Sequence, residues 1–332
     1  MPTIVDYDHG ISAIDSEFQR PMLDAIHLLV EDGKAAIIDT ATNHSVPLVL
    51  EALAIKGIRA SDVEYIFLTH IHLDHAGGAG ELLRHLPNAT VTVHPRGTRH
   101  LVDPSKLMAG TIAVYGKETA RRNYGNIVPV PRERIVETGE GAIVELNGRI
   151  LRFLDTPGHA RHHVAIFDER SQSVFTGDTF GISYRELDVD GREFIFYTCS
   201  PVQFDPVAAH VSVDCIAALR PRFAYLTHFS QVNDIQRLAN DLHLMITAYE
   251  DLGRSAVDED AVTRHTFLRE GMREILVNAA LAHGCKLRGE QLLEVLAIDI
   301  ELNAQGLGIW LDGLDQKWLR KSEQRYKWKL RA

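Results

Sequence analysis

Four side chains able to bind metal ions lie within six residues of this chain, directly after a short apolar run at Ile66–Leu68. They are His70, His72, Asp74 and His75. Burying three imidazoles and a carboxylate without polar partners is strongly unfavourable. Bound metal ions would remove that cost, so the segment predicts a metal site where a buried strand ends and a helix begins.

The spacing within this segment indicates two positions for metal ions. Residues two apart point to the same side of an extended segment, so His70 and His72 can bind one ion. The turn into the helix directs Asp74 and His75 towards a second position. Gly77 and Gly78 follow directly and allow the backbone to lie close to the site.

Three further candidate ligands each follow an apolar run later in the chain. They are His159 after Thr156-Pro157-Gly158, Asp178 after Phe175-Thr176-Gly177, and His228 after Leu226-Thr227. Loops at the ends of strands in a rigid sheet commonly present functional groups. The pattern therefore predicts that these three side chains join the first four.

The order of the four motifs, HxHxDH, TPGH, GD and a late strand-terminal His, resembles the metallo-β-lactamase superfamily, on its glyoxalase II and lactonase-like side. The resemblance covers residues from about 30 to 230 and implies an α/β fold, an αββα sandwich. It implies that His70, His72 and His159 bind the first metal, that Asp74, His75 and His228 bind the second, and that Asp178 bridges them. Asp39 resembles the family's early Asp, which orients the ligands by hydrogen bonding.

Two positions differ from those of other branches of the superfamily and so exclude these branches. A Cys at position 178 is typical of the main zinc β-lactamases, and a Glu at position 72 is typical of flavodiiron oxygen reductases; this chain has Asp178 and His72. The basic glutathione-binding pattern of glyoxalase II is not found after Asp178. His163 is an alternative ligand to His159, although the family pattern places the ligand directly after Thr-Pro-Gly.

The resemblance implies an enzyme, a hydrolase with two divalent metal ions per chain. Zinc is expected first, with iron or manganese as alternatives, because imidazole and carboxylate ligands suit all three. A metal-bridging hydroxide would attack the substrate, and Asp74 and Asp178 are the expected catalytic residues. We expect a small ester or thioester substrate. A phosphodiesterase or phosphotriesterase on the same centre, or a regulatory protein with little turnover, are the alternatives.

Short strands alternate with helices up to about residue 230, and the pattern then becomes helical. The predicted strands are Ile26–Val30, Ala35–Ile38, Tyr65–Leu68, Thr90–Val93, Ile150–Leu154, His163–Phe167, Ser173–Phe175 and Phe223–Leu226. The predicted helices are Ser45–Ile55, Asp74–His85, Pro206–Leu219, a stripe from Ile235 to Leu252, Ala261–Ala282 ended by Gly284, and Arg288–Ile300.

This change of pattern predicts a catalytic domain over residues 1–232 and a helical region over residues 233–332. The helical region is expected to act as a lid or as the surface of a homodimer. The basic and aromatic residues between Lys317 and Arg331 predict a terminal amphipathic helix with a solvated basic face.

Candidate substrate-binding residues follow the expected metal ligands along the chain. Phe180, Tyr184 and Tyr197 come after Asp178, and His162 comes after His159. Leu107–Tyr124 is expected to form another wall of the pocket.

Composition limits the expected partners. The formal net charge is −10, which argues against binding to nucleic acid or to anionic membranes. Three cysteines without CxxC spacing are typical of reduced thiols, and the first residues show no secretory signal pattern. We therefore expect a cytoplasmic protein whose partner is a small-molecule substrate, with no nucleic acid and no membrane.

Overall fold

Two mixed β-sheets pack face to face in the computed structural model, and helices cover the outer side of each sheet. The structure describes residues 1–199 and 203–329, with side chains for all of these except residue 261 and residues 315–329. The four layers and the additional C-terminal helices confirm the predicted α/β sandwich with a helical extension.

The first sheet has seven strands in chain order. They are β1 (Ile4–Asp6), β2 (Ile11–Asp15), β3 (Ala25–Glu31), β4 (Lys34–Ile38), β5 (Val63–Phe67), β6 (Thr90–Val93) and β7 (Ile135–Glu137). The first four strands are antiparallel, and β4 to β7 are parallel. Because β4 and β5 are parallel neighbours, the loops that follow them, which carry Asp39 and His70, lie at the same edge of the sheet.

The second sheet has six strands, also in chain order. They are β8 (Ile143–Leu146), β9 (Arg149–Asp155), β10 (Val164–Asp168), β11 (Ser173–Gly177), β12 (Ala224–Leu226) and β13 (Ser230–Val232). Among the described strands of this sheet, only β11 and β12 are parallel neighbours. Their ends present Asp178 and His228 side by side.

Ten α-helices, numbered in chain order, flank the sheets within the described residues. They are α1 (Val46–Ile55), α2 (Leu73–Ala76), α3 (Ala79–His85), α4 (Thr98–Val102), α5 (Ser105–Tyr115), α6 (Lys117–Tyr124), α7 (Pro206–Ala218), α8 (Ile235–Ser255), α9 (Ala261–His283) and α10 (Gly289–Lys329). Four short 3₁₀ turns are Asn43–Ser45, Ala60–Asp62, Arg132–Arg134 and Arg185–Leu187.

Three large hydrophobic clusters pack the layers against one another, and a fourth, small cluster consists of Ala13, Ala25 and Phe229. Residues such as Phe67 on β5 and Phe153 on β9 fill the space between the two sheets. A second cluster packs α1 and α3 against the outer face of the first sheet. The third lies outside the second sheet and includes residues of α7, α8, α9 and α10. Burial of apolar surface in these clusters is the main contribution to the stability of the fold.

The single helix predicted over Asp74–His85 is wrong, because the structure breaks it into α2 and α3 at Gly77 and Gly78. A Cβ atom on Gly78 would lie 2.8 Å from the carbonyl oxygens of Thr40 and Thr42. Only glycine allows such a close approach. The break therefore brings the ligand-bearing helix against the loop that begins at Asp39.

The last helix is much longer than the predicted Arg288–Ile300, because α10 continues to Lys329. Gly284 ends α9 in the left-handed conformation with φ 97°, as predicted. The predicted basic face of the terminal segment falls on side chains outside the described residues, and Arg331 itself also lies outside them.

The third cluster contains residues from both sides of the predicted boundary at residue 232, for example Tyr184 and Leu242. The division into domains over residues 1–232 and 233–332 stays a prediction. None of the described helices combines the length and the apolar character needed to cross a membrane.

Candidate metal centre

All seven predicted ligands meet at the edge where strands from both sheets end. His70 and His72 follow β5, and Asp74 and His75 lie in α2. His159 follows β9, Asp178 follows β11, and His228 lies between β12 and β13. The sheets therefore hold side chains that are distant in sequence in one place.

The first group of ligands consists of three histidines whose nitrogens converge. The Nδ1 atom of His72 lies 2.9 Å from Nε2 of His70 and 3.1 Å from Nε2 of His159. The three nitrogens lie within 4.8 Å of one another. Three imidazoles in this arrangement can occupy three ligand positions of one divalent ion.

The second group consists of Asp74, His75 and His228, whose ligand atoms also lie within 4.8 Å of one another. Oδ2 of Asp74 lies 3.9 Å from Nε2 of His75. His75 and His228 are buried, whereas Asp74 is partly exposed to the cavity described below. This group can bind a second ion.

The Asp178 carboxylate lies between the two groups. Its Oδ1 atom is 3.2 Å from Nε2 of His75 and 3.4 Å from Nε2 of His228. Its Oδ2 atom is 3.3 Å from Nε2 of His159 and 4.0 Å from Nε2 of His70. One oxygen thus faces each group, which is the geometry needed for a bridging ligand.

The local electrostatics favour the metal-binding protonation state at His70, His72 and Asp178. Burial, together with neighbouring imidazoles, holds the pKa values of His70 and His72 well below their ordinary range. Burial opposes ionisation of Asp178, but His75 and His228 outweigh it and keep the pKa of that carboxyl well below its ordinary value. Neutral imidazoles and an ionised carboxylate are the forms that bind metals. At His75, burial opposes protonation, but Asp178, Asp39 and Asp74 outweigh it and raise the pKa of that imidazole well above its ordinary value.

Two buried atoms of the cluster have no hydrogen-bond partner among the described residues. They are Nε2 of His75 and Oδ1 of Asp178, which face each other across 3.2 Å. Buried polar atoms without partners are rare in native structures, and these two are of the types that bind a metal ion. The donor set therefore fits two divalent metal ions.

The comparison with known families agrees with this geometry. The sequence profile of the metallo-beta-lactamase superfamily matches residues 25–228, which contain all seven ligands. The chain belongs to the metallo-beta-lactamase superfamily.

Relatives of known name are similar over the same region. A hydroxyacylglutathione hydrolase from Synechococcus sp. (strain JA-2-3B'a(2-13)) is 32% identical over 149 residues, which are 45% of this chain and 45% of the relative. An atrochrysone carboxyl ACP thioesterase from Aspergillus chevalieri is 28% identical over 152 residues, which are 45% of this chain and 38% of the relative. The chain therefore spans less than half the length of these two relatives.

The similarity to one solved structure covers more of the chain than the family profile does. ST1585 from Sulfolobus tokodaii, an archaeal metallo-beta-lactamase superfamily protein, superposes with a TM-score of 0.60 at 22% identity. The match covers 91% of this chain and 99% of that chain. It shows that the fold is shared.

Asp39, the early Asp that the family resemblance implied, is hydrogen-bonded to the segments that carry the candidate metal ligands of this metallo-beta-lactamase site. It accepts hydrogen bonds from the Thr69 backbone N–H at 2.9 Å, the Thr69 hydroxyl at 2.8 Å and the Thr227 hydroxyl at 3.1 Å. Its Oδ2 atom also lies 2.8 Å from Nδ1 of His75. Because Thr69 precedes His70 and Thr227 precedes His228, this one carboxylate positions three ligand-bearing segments.

Asp24 is a buried neighbour of the centre that the sequence analysis missed. Its Oδ1 atom lies 2.6 Å from Nδ1 of His228. Burial raises the pKa of Asp24 to about 6. Burial acts against protonation of His228, but Asp24 and Asp178 outweigh it and raise the pKa of that imidazole to about 10. No motif marks Asp24, because it meets His228 only through the fold.

His163, the alternative ligand, occupies a supporting position beside Asp178. Its Nε2 atom accepts a hydrogen bond from the Asp178 backbone N–H at 3.2 Å, and its Nδ1 atom pairs with the Thr156 hydroxyl at 2.9 Å. His159, not His163, is the histidine of this segment that joins the first group of ligands.

A cavity of about 280 Å³ opens onto the metal-binding side chains. Its wall includes His162 and Tyr184, both expected in the pocket, and several residues of the predicted wall segment Leu107–Tyr124. The helix α10 contributes Ile298, Asp299 and Leu302. The volume suits a small molecule.

Phe180 and Tyr197 do not take the expected place in the pocket. Both are buried in the hydrophobic cluster outside the second sheet and are not among the residues that line the cavity. The chain turns after Asp178, and Gly181, with φ 78°, packs against the backbone of Phe196. This turn directs the two rings into the core.

Two C-terminal helices brace the segment that orients His159. The Nδ1 atom of His159 donates a hydrogen bond to the Thr198 carbonyl at 3.2 Å. On either side of Thr198, the Tyr249 hydroxyl donates to the Tyr197 carbonyl at 3.1 Å, and the Cys199 N–H donates to Oδ1 of Asn303 at 2.5 Å. The helices α8 and α10 thus hold the segment whose Thr198 carbonyl orients His159.

We expect Asn303→Ala to weaken binding of the metal held by His70, His72 and His159 by about 10-fold to 100-fold, because the partner that orients His159 is no longer fixed. The metal held by the second group should be affected much less. Titration of metal-free protein with Co²⁺, followed by absorbance, measures both sites.

Asn240→Ala, on the exposed side of α8, is the matched control and should leave both affinities unchanged. Equal weakening of both sites by Asn303→Ala would indicate general destabilisation and contradict the positioning role.

Proposed function

We propose that this protein hydrolyses the ester or thioester bond of a small acyl substrate at a centre of two divalent metal ions, with zinc first and iron or manganese as alternatives. The observation that carries the proposal is the position of Asp178, with one carboxylate oxygen facing each group of ligands. Two ions bound in these groups would supply an activated water and polarise the substrate carbonyl.

The protein's own side chains have separate roles in this proposal. The buried Asp178 carboxylate fixes the position of the two ligand groups relative to each other, because one of its oxygens faces each group. The Asp74 carboxylate lines the cavity and can hold a proton at an oxygen and pass it to the leaving group. His162 and Tyr184 line the same cavity and contact the substrate.

The cavity wall favours an acyl substrate over a phosphoester. Apolar and aromatic residues such as Phe18, Leu23, Leu107 and Leu302 form much of it. Among the described lining residues there is one lysine, Lys106, and no arginine. Recognition of phosphate commonly relies on arginine, which can bind it through two parallel hydrogen bonds.

The names of the relatives support the same class of reaction. The Synechococcus relative is named a hydroxyacylglutathione hydrolase and the Aspergillus relative a thioesterase. The complete set of seven ligands argues against a regulatory role without turnover, because such a role does not require an intact metal centre.

A substrate screen tests the proposal. Metal-reconstituted protein is assayed with a thioester, a lactone, a carboxyl ester and a phosphodiester, and turnover is expected for at least one of the carboxyl derivatives. We expect His72→Ala to lower kcat/KM for that substrate by about a thousandfold, because a ligand of the stabilising metal is lost.

His85→Ala is the matched control, since His85 is exposed on α3, and should retain full turnover. Turnover of the phosphodiester alone would favour the alternative phosphodiesterase. Turnover that persists in His72→Ala would overturn the proposed metal centre.

A further inference from the structure

Asp299 brings a buried carboxylate into the wall of the substrate cavity. It lies on α10 and is only 5% exposed. Both of its oxygens face one donor, the Tyr184 hydroxyl, at 3.1 and 3.3 Å. A carboxylate has about four sites for accepting hydrogen bonds, so most of this capacity remains for a bound molecule.

The nearby guanidinium does not neutralise this carboxylate directly. Arg20 lies over the Tyr184 ring, with 4.5 Å from its Cζ atom to the ring centroid, and forms an ion pair with Glu186. Burial raises the pKa of Asp299 to about 7. The positive charges of His228 and Arg20 act against this shift but do not reverse it. A buried carboxylate that forms no direct ion pair with the described residues is unfavourable, and a cation in the cavity would stabilise it.

Aromatic rings of the same cavity favour the same type of ligand. Phe18, Tyr115 and Tyr124 contribute to the wall together with Tyr184, whose ring already has Arg20 over it. The faces of aromatic rings carry negative potential and attract cations. The aliphatic part of the wall, for example Leu302 and Ile298, suits a hydrocarbon chain.

We propose that the cavity selects acyl substrates that carry a protonated amino group, and that Asp299 is the residue that binds this group. This inference rests on the proposed function, because it names the substrate class of the same site. An acyl chain ending in a carboxylate is disfavoured, since it would place a second negative charge beside Asp299.

A matched series of thioesters tests the selection. The acyl chains have the same length and end in an ammonium, methyl, hydroxyl or carboxylate group. We expect kcat/KM for the ammonium member to exceed that for the methyl member by about 10-fold to 100-fold, the range for a charge-assisted hydrogen bond. Asp299→Asn should reduce this ratio at least about tenfold.

Glu294→Gln is the matched control, because it removes a carboxylate from an exposed position of the same helix, and it should keep the ratio. Tyr184→Phe should also keep a preference for ammonium, since the carboxylate remains. A preference for the hydroxyl or methyl member in the unaltered protein would overturn the inference without the need for any variant.

A binding experiment with small ligands tests this inference independently of the proposed hydrolysis. Calorimetry with the metal-loaded protein compares an n-alkylammonium ion with the n-alkanol of the same length. Tighter binding of the ammonium ion, lost in Asp299→Asn, would support the inference even if no ester were hydrolysed. Ester hydrolysis without any preference for ammonium would leave the proposed function standing and overturn the role of Asp299.

Discussion

Asp178→Ala is expected to lower hydrolysis by at least about a thousandfold and to reduce the metal content below about two ions per chain. The Asp178 carboxylate faces both groups, with Oδ1 near His75 and His228 and Oδ2 near His159 and His70. Without this carboxylate, the four neighbouring imidazole nitrogens have no negative charge between them to help bind the two ions. Both ions should therefore bind less tightly.

Elemental analysis of the metal-loaded protein and measurement of kcat/KM test this expectation together. Asp178→Asn retains one oxygen that can face one group, so it should keep about one ion per chain but little activity. Asp214→Ala removes a carboxylate from an exposed position on α7 and should change neither quantity. Two tightly bound ions in Asp178→Ala would rule out the bridging role.

Asp39→Ala is expected to destabilise the metal-free protein by about 3–5 kcal/mol, the range for breaking a buried charged interaction. Asp39 is 1% exposed, and its removal leaves the Thr69 backbone N–H, two hydroxyls and the His75 ring without their acceptor. Metal affinity should also fall, by about 10-fold to 100-fold, because His70 and His75 lose their orientation.

Urea unfolding of the metal-free protein measures the first effect, and metal titration measures the second. Asp214→Ala again provides the control for loss of an exposed carboxylate. A variant with unchanged stability and weaker metal binding would limit Asp39 to orienting the ligands, whereas unchanged values of both would contradict the role derived from its contacts.

The ligands could be located from the sequence because each follows a short apolar strand, and strand ends that share an edge bring their loops together. His159 and Asp178 are examples, since their own motifs mark them. Five strands were not predicted. The strands β1, β7 and β13 have only three residues each and carry little periodicity, and β2 and β8 were missed as well; β2 is buried along its whole length and shows no alternation.

Residues whose role depends on long-range packing could not be located in this way. Asp299 meets Tyr184 across 115 residues of sequence, and Asn303 meets Cys199 across 104. Both look like ordinary polar positions of a C-terminal helix. Tyr197 shows the opposite case. Its position after Asp178 suggested a pocket residue, whereas the fold buries its ring in the hydrophobic cluster outside the second sheet, next to Phe204.

The contribution of α10 to the cavity has a consequence for biosynthesis. All seven candidate metal ligands leave the ribosome before residues 298–303 are translated, since the last of the seven is His228. Chains fold from the N-terminal side during synthesis, so the nascent protein presents an incomplete pocket while its ligands are already outside the exit tunnel. Both the complete cavity wall and the Asn303 contact that helps to orient His159 would consequently be acquired only late in translation.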